Sequence, residues 1–158
     1  MRKFLLIIGM IVLLLSGFNA ASQKLTEKNG LYYQNSELFT GTYTTSHENG
    51  ALKMEMNIRQ GKKHGKVKFY FSNGDLKEIR SYKNNAMHGK WVMYNKNNTK
   101  ISVARYKNGR KHGKWKIWND EGGLLYELTY TNGKKRGTWK KYDGKGKVLS
   151  RRTYEPEM

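Results

Sequence analysis

The sequence predicts an all-β chain: an elongated, single-layer antiparallel sheet of stacked β-hairpins, preceded by a signal peptide helix. Three observations lead there. Gly41, Gly65, Gly89, Gly113 and Gly137 recur at a step of 24 residues. Short runs of strand-forming residues alternate with turn residues inside each step. The apolar residues of the longer runs, such as Leu124, Tyr126, Leu128 and Tyr130, repeat with a period of two. Glycine falls too often, and each run is too short, for a helix.

Other columns keep the same step without insertion or deletion. A second glycine column runs Gly50, Gly74, Asn98, Gly122, Gly146, and a third runs Gly61, Asn85, Gly109, Gly133. Both departures are asparagine, the other residue that tolerates a positive φ. The aromatic columns are Tyr43, Val67, Trp91, Trp115, Trp139; Tyr70, Tyr94, Trp118, Tyr142; and Ile58, Tyr82, Tyr106, Tyr130, Tyr154. Self-similarity at a period of this size marks a stacked repeat architecture. One unit reads as strand, tight turn, strand, glycine-bounded loop. Asn73-Gly74, Asn108-Gly109 and Asn132-Gly133 give strong short-turn signals. A lone hairpin cannot bury its apolar face, so the units must stack. Ten strands at about 4.8 Å each give a sheet roughly 45–50 Å long, held by cross-strand aromatic pairs worth roughly 0.2–1 kcal/mol apiece.

The chain divides into residues 1–22, a signal peptide; 23–40, a degenerate N-terminal cap; 41–154, five repeats; and 155–158, a tail. The cap reading rests on Glu37, which stands where the loop-glycine column would place a glycine. The leader reading rests on Arg2 and Lys3, the uncharged run from Phe4 to Phe18, and Ala20-Ala21-Ser22 before a cleavage point at Gln23. That apolar run is shorter than the roughly 20 residues a membrane span needs. The expected location is therefore exported, periplasmic or secreted.

The formal net charge is +19, which favours anionic partners without choosing among them. There is no cysteine, so disulfides, thiolate metal sites and a cysteine nucleophile are excluded. His64, His88 and His112 share the repeat step, and Arg136 takes the fourth position. Equivalent residues of adjacent hairpins lie about 9–10 Å apart, whereas two imidazoles on one zinc need nitrogens within roughly 4 Å. These histidines are expected to cap or pack on the loops, and no metal or cofactor is expected. Asp75, Asp120 and Asp143 sit in turns without a partner nucleophile, so no catalytic constellation is found and an enzyme is the least expected class.

Two candidate surfaces remain. Lys62, Lys63, Arg110, Lys111, Lys134, Lys135 and Arg136 hold equivalent loop positions, and Lys66, Lys90 and Lys114 follow their anchor glycines. Stacking is expected to align them as an anion-binding ridge; the competing reading is a solvated rim that discourages edge pairing. Trp91, Trp115, Trp139, Tyr94, Trp118 and Tyr142 form a candidate aromatic surface, with sheet packing as the stronger reading. Interleaved lysines and aromatics also suit single-stranded nucleic acid, a ligand that an exported protein seldom meets.

Segments such as Tyr106-Lys107-Asn108-Gly109-Arg110-Lys111-His112-Gly113-Lys114-Trp115 resemble the bacterial variant of the MORN repeat, whose pattern reads Y-x-N-G-x-x-H-G-x-W. Asn85, Asn98, Val67 and Arg136 depart from it. The resemblance implies a β-hairpin per repeat and a role in protein scaffolding. It also implies an attraction to acidic phospholipids and, because such bacterial chains are often classed with toxin–antitoxin antitoxins, an antitoxin- or immunity-like role. The leading expectation is an exported, non-enzymatic scaffold for an unknown protein partner. The alternative is an electrostatic binder of anionic envelope lipid or polysaccharide.

Overall fold

The computed structural model describes residues 24–155. The signal peptide helix expected over 1–22 and the tail beyond 155 lie outside them. The described chain is all-β. Strands β1 (Thr26–Lys28), β2 (Leu31–Gln34) and β3 (Glu37–Leu38) form a small sheet of their own. The main sheet begins with β4 (Gly41–Ser46), β5 (Leu52–Arg59), β6 (Lys62–Tyr70), β7 (Leu76–Lys83), β8 (Ala86–Met87), β9 (Gly89–Tyr94) and β10 (Lys100–Lys107). It continues with β11 (Arg110–Lys111), β12 (Gly113–Trp118), β13 (Leu124–Thr131), β14 (Lys134–Lys135), β15 (Gly137–Tyr142) and β16 (Val148–Tyr154).

These strands make one open, thirteen-stranded antiparallel sheet. Its path runs from β4 to β16 in chain order, with the two-residue strands β8, β11 and β14 pairing on β7, β10 and β13. Every connection is a hairpin, as the glycine spacing predicts.

The two ends of each hairpin use different turns. At one end, Gln60-Gly61, Asn84-Asn85, Asn108-Gly109 and Asn132-Gly133 hold two consecutive positive φ angles, 48° and 70° in the first pair. That is the type I′ signature, whose twist suits a two-residue hairpin and which favours Asn and Gly. The next unit then locks on. The N–H groups of Gly61, Asn85, Gly109 and Gly133 donate to the carbonyls of Phe39, Lys63, Met87 and Lys111 at 2.8–3.0 Å. Each tight turn is thereby tied to the preceding repeat.

At the other end the chain makes a longer turn, closed by pairs such as Asn119 N–H to the Gly123 carbonyl at 2.9 Å. Asn73-Gly74 belongs here. Only Gly74 of that pair has a positive φ, so it is not the two-residue turn that its sequence shares with Asn108-Gly109. A register shift lies beside these turns, as between Lys141 and Tyr142, and gives the sheet a row of bulges.

The sheet is a single layer except at its first repeats, where the small sheet covers one face. Phe39, Met56, Ile58 and Val67 are buried there, with Leu25, Tyr32, Tyr43, Met54, Phe69 and Tyr82 packed around them. The cause is visible in the columns. Val67 stands where later units have tryptophan, and Ile58 where they have tyrosine. These smaller side chains cannot cover one another across the sheet, so a lid of chain must bury them. Asn35 and Ser36 carry the positive φ angles of the cap's own turn, one residue earlier than the loop column projects.

Tyr32 clamps this lid. Lys63 Nζ lies 5.8 Å from the Tyr32 ring centroid and 5.5 Å from that of Tyr82. Burial first, and then the hydrogen bond to Glu27, pushes the Tyr32 phenol up from 10.0 to about 12. A proton held more tightly in the folded state stabilises the fold below pH 10.0, and that contribution disappears as pH rises through about 12. The thermal midpoint of the chain is expected to fall more steeply over this window than that of Tyr32→Phe.

Candidate interaction surfaces on the two faces

Alternation along each strand gives the sheet two distinct faces. On the aromatic face, Tyr82, Trp91, Tyr106, Trp115, Tyr130, Trp139 and Tyr154 stack into one spine. Neighbouring ring centroids lie 4.7–5.7 Å apart at tilts of 48–59°, the arrangement that ring quadrupoles favour. Burial raises the phenol pKa of Tyr106 and Tyr130 within it.

The tryptophans also complete the backbone. Near the anchor glycines Gly89, Gly113 and Gly137, one carbonyl of the adjacent strand accepts two donors. The indole N–H groups of Trp91, Trp115 and Trp139 donate to the carbonyls of Ser81, Arg105 and Thr129 at 3.0–3.1 Å. The same three carbonyls accept the N–H groups of His88, His112 and Arg136 at 2.9–3.0 Å. These rings are therefore structural pins as well as packing surface.

Cations lie over this spine. Lys111 Nζ is 5.0 and 5.1 Å from the Trp115 and Tyr130 centroids, and Lys135 Nζ is 4.9 and 5.1 Å from those of Trp139 and Tyr154. Lys63 holds the same column, in which Met87 replaces the lysine. Arg80 lies over Phe69 and Trp91 and forks onto the buried Glu78 at 2.8 and 2.9 Å.

The other face is basic. The ten cations expected to form one ridge divide between the faces, because Lys62 and Lys63, Arg110 and Lys111, and Lys134 and Lys135 are successive strand residues. Lys63, Lys111 and Lys135 turn to the aromatic spine; Lys62, Arg110 and Lys134 turn to the basic face. Lys66, Lys90 and Lys114 join the latter through their pairing with Ser81, Arg105 and Thr129. Arg136 instead donates to the Glu155 carbonyl at 2.8 Å.

The six candidate rings divide likewise. Trp91, Trp115 and Trp139 belong to the spine. Tyr94, Trp118 and Tyr142 lie on the basic face, where the Tyr142 hydroxyl donates to Glu127 at 2.6 Å. Hydrogen bonds from Lys116 and then Tyr142 hold the Glu127 carboxyl below its ordinary range.

Arg59, Lys83, Arg105 and Lys107 extend this face, although the sequence columns did not single them out. Each is adjacent to a member of the Ile58–Tyr154 column, so alternation alone turns it away from the spine. All four are exposed, as are Lys62, Lys66, Lys90, Arg110, Lys114 and Lys134. The two rows they form across β5–β14 contain no acidic residue. The ion pairs of this face, Lys68–Glu55 at 2.8 Å and Lys116–Glu127 at 2.7 Å, lie further along the strands.

The histidines act at the loops. His64 Nδ1 is 3.2 Å from Asn84 Oδ1, and His88 Nδ1 is 3.2 Å from Asn108 Oδ1, each bridging to the next repeat's turn. His112 breaks the series: its Nδ1 is buried without a hydrogen-bond partner.

The MORN repeat variant family matches residues 63–84, 111–132 and 135–155. This is a MORN-repeat protein. Its matched stretches begin at Lys63, Lys111 and Lys135, the three lysines over the spine. The intervening unit carries Met87 and Asn98, where its neighbours have lysine and glycine. MORN repeats are generally modules of protein or membrane interaction. No curated protein matches this chain.

Proposed function

We propose that this MORN-repeat chain is an exported, non-enzymatic interaction module that binds an anionic partner of the cell envelope through its basic face. The observation that carries this reading is the paired rows of exposed cations without an intervening carboxylate. Like charges held this close repel one another, and a polyanion relieves that repulsion while releasing its counterions. The aromatic face supports a second reading, a protein partner docked on the spine beyond the cap, since Trp91 to Tyr154 carry no covering layer among the described residues.

The test is co-sedimentation of the chain with isolated envelope across a salt series. Binding is expected to weaken steeply as ionic strength rises, and Lys83→Glu with Lys107→Glu is expected to weaken it and flatten the salt slope. The chain recovered from the envelope is expected to begin at Gln23. Salt-independent binding that ignores these substitutions would overturn the electrostatic reading in favour of the aromatic face.

A further inference from the structure

We propose that the basic face binds an extended acidic polysaccharide bearing one carboxylate per disaccharide, laid across the strands along the line of anchor glycines. The inference rests on the anionic partner proposed for this face and names its chemical class.

The floor of the strip is unusually low. A Cβ placed on Gly65, Gly89 or Gly113 would point onto this face, meeting Asn57 Cβ at 3.9 Å, Ser81 Cβ at 3.4 Å and Arg105 Cδ at 3.2 Å. At Gly65 and Gly89 bare backbone and small polar side chains therefore line it, while at Gly113 the Arg105 side chain lies over the backbone. Asn57 Nδ2 and Ser81 Oγ reach across the glycines to the carbonyls of Lys66 and Lys90 at 3.0 and 2.8 Å. Such a floor offers hydroxyl and amide groups to sugar hydroxyls.

Cations flank this floor on both sides. Lys66, Lys90 and Lys114 rise on one side, and Lys83 and Lys107 on the other, with Arg105 over Gly113. All are exposed, and none forms an ion pair among the described residues. Equivalent cations recur every two strands, a step of about 9.6 Å. A β-linked polymer of alternating neutral and uronic sugars advances by about that distance per disaccharide. Successive carboxylates would then meet successive cation sets in register.

Other polyanions fit less well. A nucleic acid strand carries a phosphate on every nucleotide, a shorter step that falls out of register. A bilayer is flat, whereas neighbouring strands rotate by about 20–25° and the rotation accumulates along the sheet. A flexible chain can follow that turning row, and a plane touches only part of it.

The experiment titrates the purified chain with hyaluronan oligosaccharides of increasing length. Phosphatidylglycerol vesicles and an oligothymidylate of equal charge serve as the competing arms. Affinity is expected to rise with each added disaccharide and to exceed that for the equal-charge oligonucleotide. Lys83→Glu with Lys107→Glu is expected to cost about tenfold, with an unchanged circular dichroism spectrum. Ser81→Asp, which puts a carboxylate on the floor and leaves both flanking rows intact, is expected to weaken the oligosaccharide as well. Length-independent binding, or tighter binding of vesicles or oligonucleotide, overturns the polysaccharide assignment while the anionic-partner reading stands. If no anion binds with salt dependence, both fall.

Discussion

Gly123→Ala is expected to destabilise the chain by about 3 kcal/mol, the upper part of the range for overpacking. A Cβ at this position would lie 2.1 Å from the Gly144 carbonyl oxygen. That contact is with backbone, so no side chain can swing aside, and the turn at Asp143–Lys147 must move away. The damage should concentrate in the last hairpin, β15–β16, because each unit of a stacked repeat touches only its neighbours. Amide exchange would show fast opening there and near-normal protection in β5–β7. Gly133→Ala is the control. It has the same chemistry and a φ of +90°, but nothing within 4 Å, so only backbone strain of about 1 kcal/mol is expected.

Trp115→Ala should cost a similar amount, about 3 kcal/mol, by a different route. It removes ring contacts to Tyr106 at 5.3 Å and Tyr130 at 5.1 Å, together with the donor to the Arg105 carbonyl at 3.0 Å. Trp115→Phe keeps an aromatic ring and loses the indole N–H, so about 1 kcal/mol is expected. Chemical denaturation of the two variants separates stacking from hydrogen bonding. Amide exchange should place the opening in β10, β12 and β13, in the middle of the spine.

Much of this architecture was legible in the sequence, since a fixed step leaves hairpin stacking as the economical way to bury the aromatic columns. The division of the faces was equally available. Lys62 and Lys63 are adjacent, and Trp91 and Tyr94 are an odd number apart, so alternation sends each pair to opposite sides. Grouping residues by column obscured that. Other features depend on departures from the period. Gly123 shares its column with Ala51, Asp75, Thr99 and Lys147, and glycine is needed there only because the next turn presses its Gly144 carbonyl inward. The lid over Val67 and Ile58 depends on tertiary packing that no repeat column encodes. The missing partner of His112, beside two equivalent histidines that find theirs, has no physical explanation in its column.

The central claim is that the aromatic face holds the sheet together while the basic face meets the partner. Nuclear magnetic resonance during titration with a heparin oligosaccharide, a generic polyanion, tests it directly. The backbone amides of Lys66, Lys83, Lys90, Arg105, Lys107 and Lys114 are expected to shift, while the indole N–H signals of Trp91, Trp115 and Trp139 stay in place. Shifts concentrated on those three indoles, with the basic rows unmoved, would contradict it.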